Sequence, residues 1–333
     1  MPNRSRRPES EPATRRNAGS QRATPLVGIG ITRVSIVESF LAAALFALTP
    51  GVSRSQQLEP RAYAPNPVGV NFAGLIYGRS EGDVVFNASL PLEDVEATVS
   101  SATLAYGRTF GLANRSASIS IAVPYIRATV SGETGEARGE VHRSGLADTH
   151  LRFAVNLLGL PAMSLRELEQ RRPRPTLGAS VLVVAPTGQY DSARLINIGS
   201  NRWAFKPELG LSVPMNRWYF DLYAGVWLFT ENSDYFRESE VSQDSMTSVQ
   251  AHVSYTFRRN LWLAADATYY AGGRTHINDV PRPNRQENTR VGLTLSVPAG
   301  RGHSIRIAWS DGATVRVGGD FSSVSLAWQY TWF

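Results

Sequence analysis

Apolar and polar side chains alternate along the last thirteen residues of the chain, 321–333. Successive side chains of a β-strand point to opposite faces, so the alternation predicts a strand with one apolar and one polar face. Small polar residues such as Ser323 and Ser325 form the polar face, which suits water on one side of a sheet and lipid on the other. The apolar face ends in aromatic residues and consists of Val324, Leu326, Trp328, Tyr330 and Trp332.

The same alternation recurs upstream and predicts about twelve strands in all. Most of these stretches match the roughly 9–11 residues that a tilted strand needs to cross a bilayer. They lie near 67–78, 98–109, 116–127, 148–158, 176–187, 202–213, 217–230, 247–258, 260–271, 288–298, 303–310 and 321–333.

The connections between these stretches alternate in length. Short turns of a few residues alternate with long connections, a difference typical of outer-membrane barrels with short periplasmic turns and longer external loops. The connection 159–175 is an exception, because it is long where a short turn is expected. Residues 164–170 within it are predicted to form a short helix. The long connections include 79–97, 128–147, 188–201, 231–246 and 272–287.

These patterns predict an all-β fold, an antiparallel up-and-down transmembrane β-barrel of about twelve strands. An even strand count lets both ends of the barrel sequence lie on one side of the membrane. A soluble β-sandwich or a lipocalin-like barrel is the alternative that alternation alone leaves open.

The N-terminal region has the composition of a secretory leader. An arginine-rich start is followed by the short apolar run 39–48 and then by small residues, which predicts a signal peptide with a basic extension over residues 1–55. A proline-bearing segment, 56–66, follows, and the barrel is predicted over 67–333. These boundaries place the protein in the Gram-negative outer membrane after its secretion to the periplasm.

The net charge of +6 belongs largely to that leader. Residues 1–55 hold eight arginines and three acids, so the rest of the chain has 26 basic and 25 acidic residues and a net charge of +1. Nucleic acid is therefore not an expected partner. The chain has no cysteine, which excludes disulfides and thiolate chemistry.

Four stretches of the sequence carry a resemblance to a known family. They are 185–210, which begins Ala-Pro-Thr-Gly-Gln-Tyr-Asp, the stretches 148–159 and 266–275, and the close Trp-Gln-Tyr-Thr-Trp-Phe at 328–333. Together they resemble the outer-membrane transporters grouped as "MetA-pathway of phenol degradation" proteins. The resemblance implies an outer-membrane β-barrel and a link to phenol and other aromatic compounds.

Charged residues fall on the strand faces that the alternation directs into the lumen. Such residues could select solutes, as charged rings do in pores, or could pair with one another and fill the barrel. The predicted lumen-lining residues are Arg152, Lys206, Glu208, His252, Asp266, Arg290 and Arg306.

The predicted external loop 79–97 is unusually apolar. It could fold inward and constrict the lumen, or it could pack on its neighbours at the barrel mouth. The constriction candidates are Val84, Val85, Phe86, Leu90 and Leu92.

Other chemistry finds little support in the sequence. The five histidines lack metal-ligand spacing, and the acidic loops match no calcium motif. We therefore expect no metal, no cofactor and no enzymatic activity.

The function expected from these patterns is a passive channel or transporter for small solutes, including aromatic or hydrophobic ones. A non-conducting structural or adhesive barrel is the alternative, and an outer-membrane hydrolase is a weaker one. The expected partners are outer-membrane lipid, a small-molecule solute, and the barrel-assembly machinery, which would bind the C-terminal strand.

Overall fold

Twelve long antiparallel strands close into a barrel in the computed structural model, which describes residues 58–85, 93–134 and 137–333. The strands are β1 (Asn71–Val85), β2 (Glu93–Leu112), β3 (Arg115–Thr134), β5 (Thr149–Leu158), β6 (Thr176–Ala185), β7 (Ala204–Met215), β8 (Trp218–Phe229), β11 (Met246–Arg258), β12 (Leu261–Gly272), β15 (Gln286–Pro298), β16 (His303–Thr314) and β17 (Gly318–Trp332).

Each barrel strand pairs with the strands before and after it, and β1 pairs with β17 to close the sheet. The seam runs from Asn71 opposite Trp332 to Val85 opposite Gly318, so no barrel edge is left unpaired there. The predicted antiparallel up-and-down transmembrane β-barrel is confirmed.

The remaining strands extend the barrel at one end. β4 (Ala137–Leu146) continues the line of β5 and pairs with the far part of β3. Four short strands form a second sheet in the order β14-β13-β10-β9. Their bounds are β9 (Asn232–Tyr235), β10 (Ser239–Gln243), β13 (Thr275–Ile277) and β14 (Val280–Pro281).

The outward face of the barrel is apolar, as expected for a wall that contacts acyl chains. Leu104, for example, is 67% exposed although it lies in the middle of a strand. Aromatic rings gather near the end with the short turns, where Trp218 meets Tyr255 at 4.9 Å between ring centres and Tyr330 stacks on Trp332 at 5.4 Å. Such rings favour the membrane–water interface.

Tight turns join the strands at that end, which we call the short-turn end. Asn114, Asn216 and Asn260 have φ angles of 61°, 57° and 61°, in the left-handed region that asparagine tolerates better than most residues. The opposite end is called the long-loop end.

At the second end, strand pairing extends into three of the connections that the predicted strand ends leave long. The predicted loops 79–97 and 128–147 are mostly strand, because β1 and β2, and likewise β3 and β4, continue their pairing. The gap between β16 and β17 is only 315–317. These strand extensions lie beyond the membrane band, where no lipid imposes an apolar face, so the apolar–polar alternation did not identify them as strand.

A proline within a strand removes a hydrogen-bond donor from the sheet, so a bulge or a strand end is expected at Pro124, Pro186 and Pro207. The sheet is interrupted near the first two. Pro186 follows the end of β6. Beside Pro124, the partner of β3 changes from β5 to β4, and the intervening Ala147 donates its backbone N–H to the Pro124 carbonyl at 2.8 Å. At Pro207 the expected bulge is absent, and the register with β8 is the same on both sides.

The predicted helix is confirmed as α1 (Leu165–Glu169). Ser164 caps it, and the Glu167 side chain accepts a hydrogen bond from the Ser164 backbone N–H at 2.8 Å, which forms a capping box. Within the described ranges, no helix is long and apolar enough to cross a membrane.

Candidate solute path through the barrel

The inward side chains on β6, β7, β8, β11, β12 and β15 are almost all buried. We call this side of the lumen the packed half. Side chains facing the lumen are normally wet, so their burial means that other parts of the chain cover them. Examples, one from each strand, are Ser180, Glu208, Tyr223, Gln250, Thr268 and Arg290.

The inward side chains on β16, β17, β1, β2 and β3 are small and mostly half-buried. We call this side the open half. It keeps solvent against the wall, because short side chains leave space that no other residue of the described ranges fills. Examples are Gly78, Ser101, Ser120, Ala308 and Ser325.

The segment 58–66 lies inside the barrel against the packed half, and Tyr63 is its most enclosed residue. Gly178 and Gly210 face each other on neighbouring strands, and a Cβ on either would lie only 2.2 or 2.1 Å from the Tyr63 ring. The two glycines therefore form a slot for this ring. The Tyr63 hydroxyl lies 2.7 Å from Ser180 Oγ and donates to Glu208 Oε1 at 3.0 Å.

The Tyr63 side chain is only 1% exposed. Burial, and after it the charge of Glu208, raises the pKa of the Tyr63 hydroxyl. The hydroxyl therefore stays protonated and remains a hydrogen-bond donor to the carboxylate.

Arg61 holds the same segment with its side chain. Its Nε donates to Ser254 Oγ and its Nη2 to Thr256 Oγ1, both at 2.8 Å. The guanidinium carbon also lies 4.4 Å from the centre of the Tyr219 ring and 4.7 Å from that of Trp262. The wall therefore holds the Arg61 guanidinium in two ways, through hydroxyl groups that accept its N–H donors and through aromatic rings that attract its positive charge.

Backbone groups of the segment are held as well. The Arg61 N–H donates to Asp221 Oδ2 at 3.2 Å, and the Ala62 N–H donates to Tyr223 Oη at 3.0 Å. Tyr223 in turn meets the Tyr63 ring edge-on at 5.0 Å between centres. The segment is therefore a specifically bound part of the lumen.

A second set of bonds fixes the chain where it leaves the lumen for β1. The Gly69 N–H donates to the Thr109 carbonyl at 3.0 Å, and the Thr109 N–H donates to the Val70 carbonyl at 2.8 Å. The Val68 N–H donates to the Met163 carbonyl at 2.9 Å. These contacts set where the segment enters the barrel.

Of the predicted lumen charges, four form two bonded pairs in the packed half. Lys206 Nζ lies 2.5 Å from Glu208 Oε2, and His252 Nδ1 lies 2.7 Å from Asp266 Oδ1. Thr294 donates to the second carboxylate oxygen of Asp266 at 2.7 Å. These four charged residues therefore pair with one another, which is the second of the two interpretations of the lumen charges.

The three predicted arginines differ from one another. Arg290 is 1% exposed and donates to Ser310 Oγ at 3.1 Å and to the Phe321 carbonyl at 2.6 Å. Arg152 is half-buried, and its guanidinium carbon lies 5.3 Å from the Tyr63 ring centre. Arg306 is exposed and borders the open half.

An apolar cluster closes part of the lumen towards the long-loop end. It is built around Trp227, Met246 and Tyr270, each 2% exposed, with Val184 and Ala204 beside them. Leu182 and Phe229 pack against this cluster and stay partly exposed. Leu182 and Phe229 are therefore the members of this cluster that keep accessible apolar surface.

The stretch between β6 and β7, 186–203, is fastened to the wall at the long-loop end. Asp148 accepts hydrogen bonds from the Gly188 N–H at 2.8 Å, the Ser200 N–H at 3.0 Å and the Ser200 hydroxyl at 2.6 Å. A Cβ on Gly188 would lie 2.7 Å from Gly199 Cα, so the two backbones touch. The Asp148 carboxylate therefore ties both ends of the loop to the wall.

The predicted loop constriction falls largely on residues outside the described ranges. Phe86, Leu90 and Leu92 lie there. Val84 and Val85 belong to the end of β1, paired with Gly319 and Gly318. The constriction by this loop stays a prediction.

The predicted membrane-facing anchors point away from the lumen. Trp332 lies at the end of β17, half-buried and stacked on Tyr330. Their role as lipid anchors stays a prediction. The others are exposed on the outer wall, namely Val324, Leu326, Trp328 and Tyr330.

The sequence did not reveal that Arg61 and Tyr63 bind inside the lumen. It also did not reveal that Asp221 and Tyr223 contact their segment. The last two alternate along β8 and could have been found as inward positions. The first two lie in a segment without periodicity, whose partners are 117 to 195 residues away. Within the described ranges, no three His, Asp or Glu side chains are grouped as a metal site.

Comparisons with known proteins agree with this architecture. The chain is similar to the COG4313 outer membrane channel from Pseudomonas putida F1, with 20% sequence identity, a TM-score of 0.72, and coverage of 83% of this chain and 100% of the other. At this identity the likeness shows a shared fold.

A weaker likeness links the chain to the toluene transporter TodX of Pseudomonas putida, with 11% identity, a TM-score of 0.44, and coverage of 80% of this chain and 90% of the other. No curated protein matches the chain. Residues 78–331 match the family described as "Putative MetA-pathway of phenol degradation". The chain belongs to this family.

Proposed function

We propose that the protein is an outer-membrane channel through which small solutes pass passively along the open half of the lumen. The observation that carries this proposal is the contrast between the two halves. Twelve strands enclose more space than wall side chains fill, and segment 58–66 occupies the packed half but leaves the small-residue wall wet.

The preferred solutes are aromatic or hydrophobic molecules. Leu182 and Phe229 offer partly exposed apolar surface towards the long-loop end, backed by Trp227 and Tyr270. An aromatic solute that leaves water gains from contact with such surface. Membership in a family described by phenol degradation points in the same direction.

Secretion to the periplasm and insertion into the outer membrane follow from the same proposal. The predicted leader 1–55 would be removed on export, and the C-terminal strand β17, with its outward aromatic residues, would be bound by the barrel-assembly machinery. The outer apolar wall would then contact lipid.

Single-channel recording of the refolded protein in a planar bilayer tests conduction. The wild type should show small, steady openings, and Arg61→Ala/Tyr63→Ala should show larger ones, because the segment loses its main attachments. Arg171→Ala/Arg172→Ala, an exposed pair beyond α1, is the matched control and should behave like the wild type. A barrel that passes no current in either form would be a structural or adhesive one.

Liposome swelling with phenylalanine and glutamine, zwitterions that cross lipid slowly, ranks the solutes. Faster swelling with phenylalanine supports an aromatic preference. Equal rates would remove the preference and leave the channel, and swelling with neither would reject transport.

A further inference from the structure

Arg306 has an unusual position for a charged residue inside a barrel. It lies near the short-turn end of β16 and pairs across the sheet with Ser296 and Ala327. Its guanidinium carbon is 5.4 Å from the centre of the Trp262 ring, which is buried on the inner wall. The side chain nevertheless stays exposed, so it faces the wet part of the lumen.

The guanidinium of Arg306 has no hydrogen bond and no ion pair to any residue within the described ranges, in contrast to the other inward charges. Carboxylates that could have neutralised it are already bonded elsewhere. Asp266 is held by His252 and Thr294, and Glu208 is held by Lys206. The N–H donors of Arg306 are therefore not taken up by any residue within the described ranges.

The wall beside Arg306 adds no negative charge. Within the described ranges, Arg306 is the only ionisable inward residue along 72–80, 101–109, 118–124, 304–310 and 323–331. Arg152 borders the opposite edge of the open half, so both edges carry a cation. Glu59 of the bound segment lies near enough to interact electrostatically with both arginines, and Asp266 interacts in the same way with Arg306.

The chemistry of this position fits a carboxylate. A guanidinium presents parallel N–H donors that match the two oxygens of a carboxylate, and it binds them more strongly than it binds neutral acceptors. The Trp262 ring beneath it shields one side of the guanidinium from water, and the small-residue wall leaves room for a solute of limited width.

We infer that the open half is a path for organic anions, with Arg306 as the residue that binds the carboxylate of the passing solute. This inference rests on the proposed channel function and narrows its solutes to aromatic or aliphatic carboxylates. A unit charge about 7 Å from an ion in water changes its local concentration by about threefold, which sets the size of the expected selectivity.

Zero-current potentials across a planar bilayer test the inference, with gradients of sodium benzoate and of benzylammonium chloride at neutral pH. The wild type should pass benzoate in preference to sodium and chloride in preference to benzylammonium, each by about threefold. Arg306→Gln should abolish most of this preference. Arg306→Lys should keep the preference for chloride but lose part of the preference for benzoate, because lysine lacks the parallel N–H donors of a guanidinium.

Arg301→Gln is the matched control, since Arg301 is exposed in the turn that precedes β16 and lies outside the lumen wall. It should leave both potentials unchanged. A conducting wild type without anion preference, or Arg306→Gln with unchanged potentials, would overturn the inference and leave the channel proposal standing. Absence of any current would overturn both.

Discussion

The two halves of the lumen belong to one continuous sheet and differ in the side chains that their strands direct inward. On the packed half, large and polar residues such as Tyr223, His252 and Arg290 meet one another and segment 58–66. On the open half, serine, alanine and glycine meet water. One half of the barrel is therefore filled by side chains that bond to one another, and the other half is open to solvent. Buried polar groups need hydrogen-bond partners, whereas polar groups in contact with water do not.

The largest effect is expected from breaking a bonded pair in the packed half. Asp266→Ala leaves His252 and Thr294 without their carboxylate, and removal of one partner of a buried pair costs about 3–5 kcal/mol. Urea unfolding of the refolded protein in detergent should show a much lower midpoint.

The matched change on the other side is Arg306→Gln. Because Arg306 is exposed and has no ion pair within the described ranges, its replacement should change stability by less than about 0.5 kcal/mol. Similar midpoints for the two variants would contradict the division between the halves.

The next effect concerns the slot for Tyr63. Gly210→Val places side-chain atoms where the ring now lies, since a Cβ there would already be 2.1 Å from it. The ring should leave the slot, and single-channel conductance should roughly double as the packed half takes up water.

Gly111→Ala serves as the control for that variant, because its Cβ would meet only Ala162 Cβ at an ordinary 3.5 Å. The control should conduct like the wild type. Unchanged conductance in Gly210→Val would mean that Tyr63 does not limit the passage.

The smallest effect is expected from filling the open half. Ser325 is half-buried on the inner face of β17, and Ser325→Leu adds apolar bulk to the path without touching the bonded network. Conductance should fall to roughly half, with an unchanged unfolding midpoint.

Leu326→Val, at the neighbouring outward position, changes the lipid side alone and should leave conductance as it is. If Ser325→Leu conducts normally, the solute passes elsewhere in the barrel.

The sequence predicted the strands well because period-two alternation is imposed on every strand that separates lipid from water. The predicted 247–258 and observed Met246–Arg258 differ by one residue, as do 260–271 and Leu261–Gly272. Strand ends beyond the membrane were missed, as in β3, because no apolar environment imposes the pattern there.

The lumen was only partly predictable. Alternation along a strand predicts which residues point inward, and the three residues Lys206, His252 and Arg290 that it directs there are buried. It does not tell what fills the interior, since Tyr63 reaches Gly178 and Gly210 from a segment with no repeat. Two glycines opposite each other on adjacent strands leave room for another part of the chain to approach the sheet closely. This pair could have indicated that a side chain such as Tyr63 packs there.

The glycine slot also constrains the order of assembly. Tyr63 precedes β1, yet its receptor exists only after β6 and β7 have paired, more than a hundred positions later in the chain. Segment 58–66 can therefore dock only after the strands in the middle of the chain have paired. Docking of the amino-terminal segment is a late event, dominated by contacts of long sequence separation, and such contacts are slow to form.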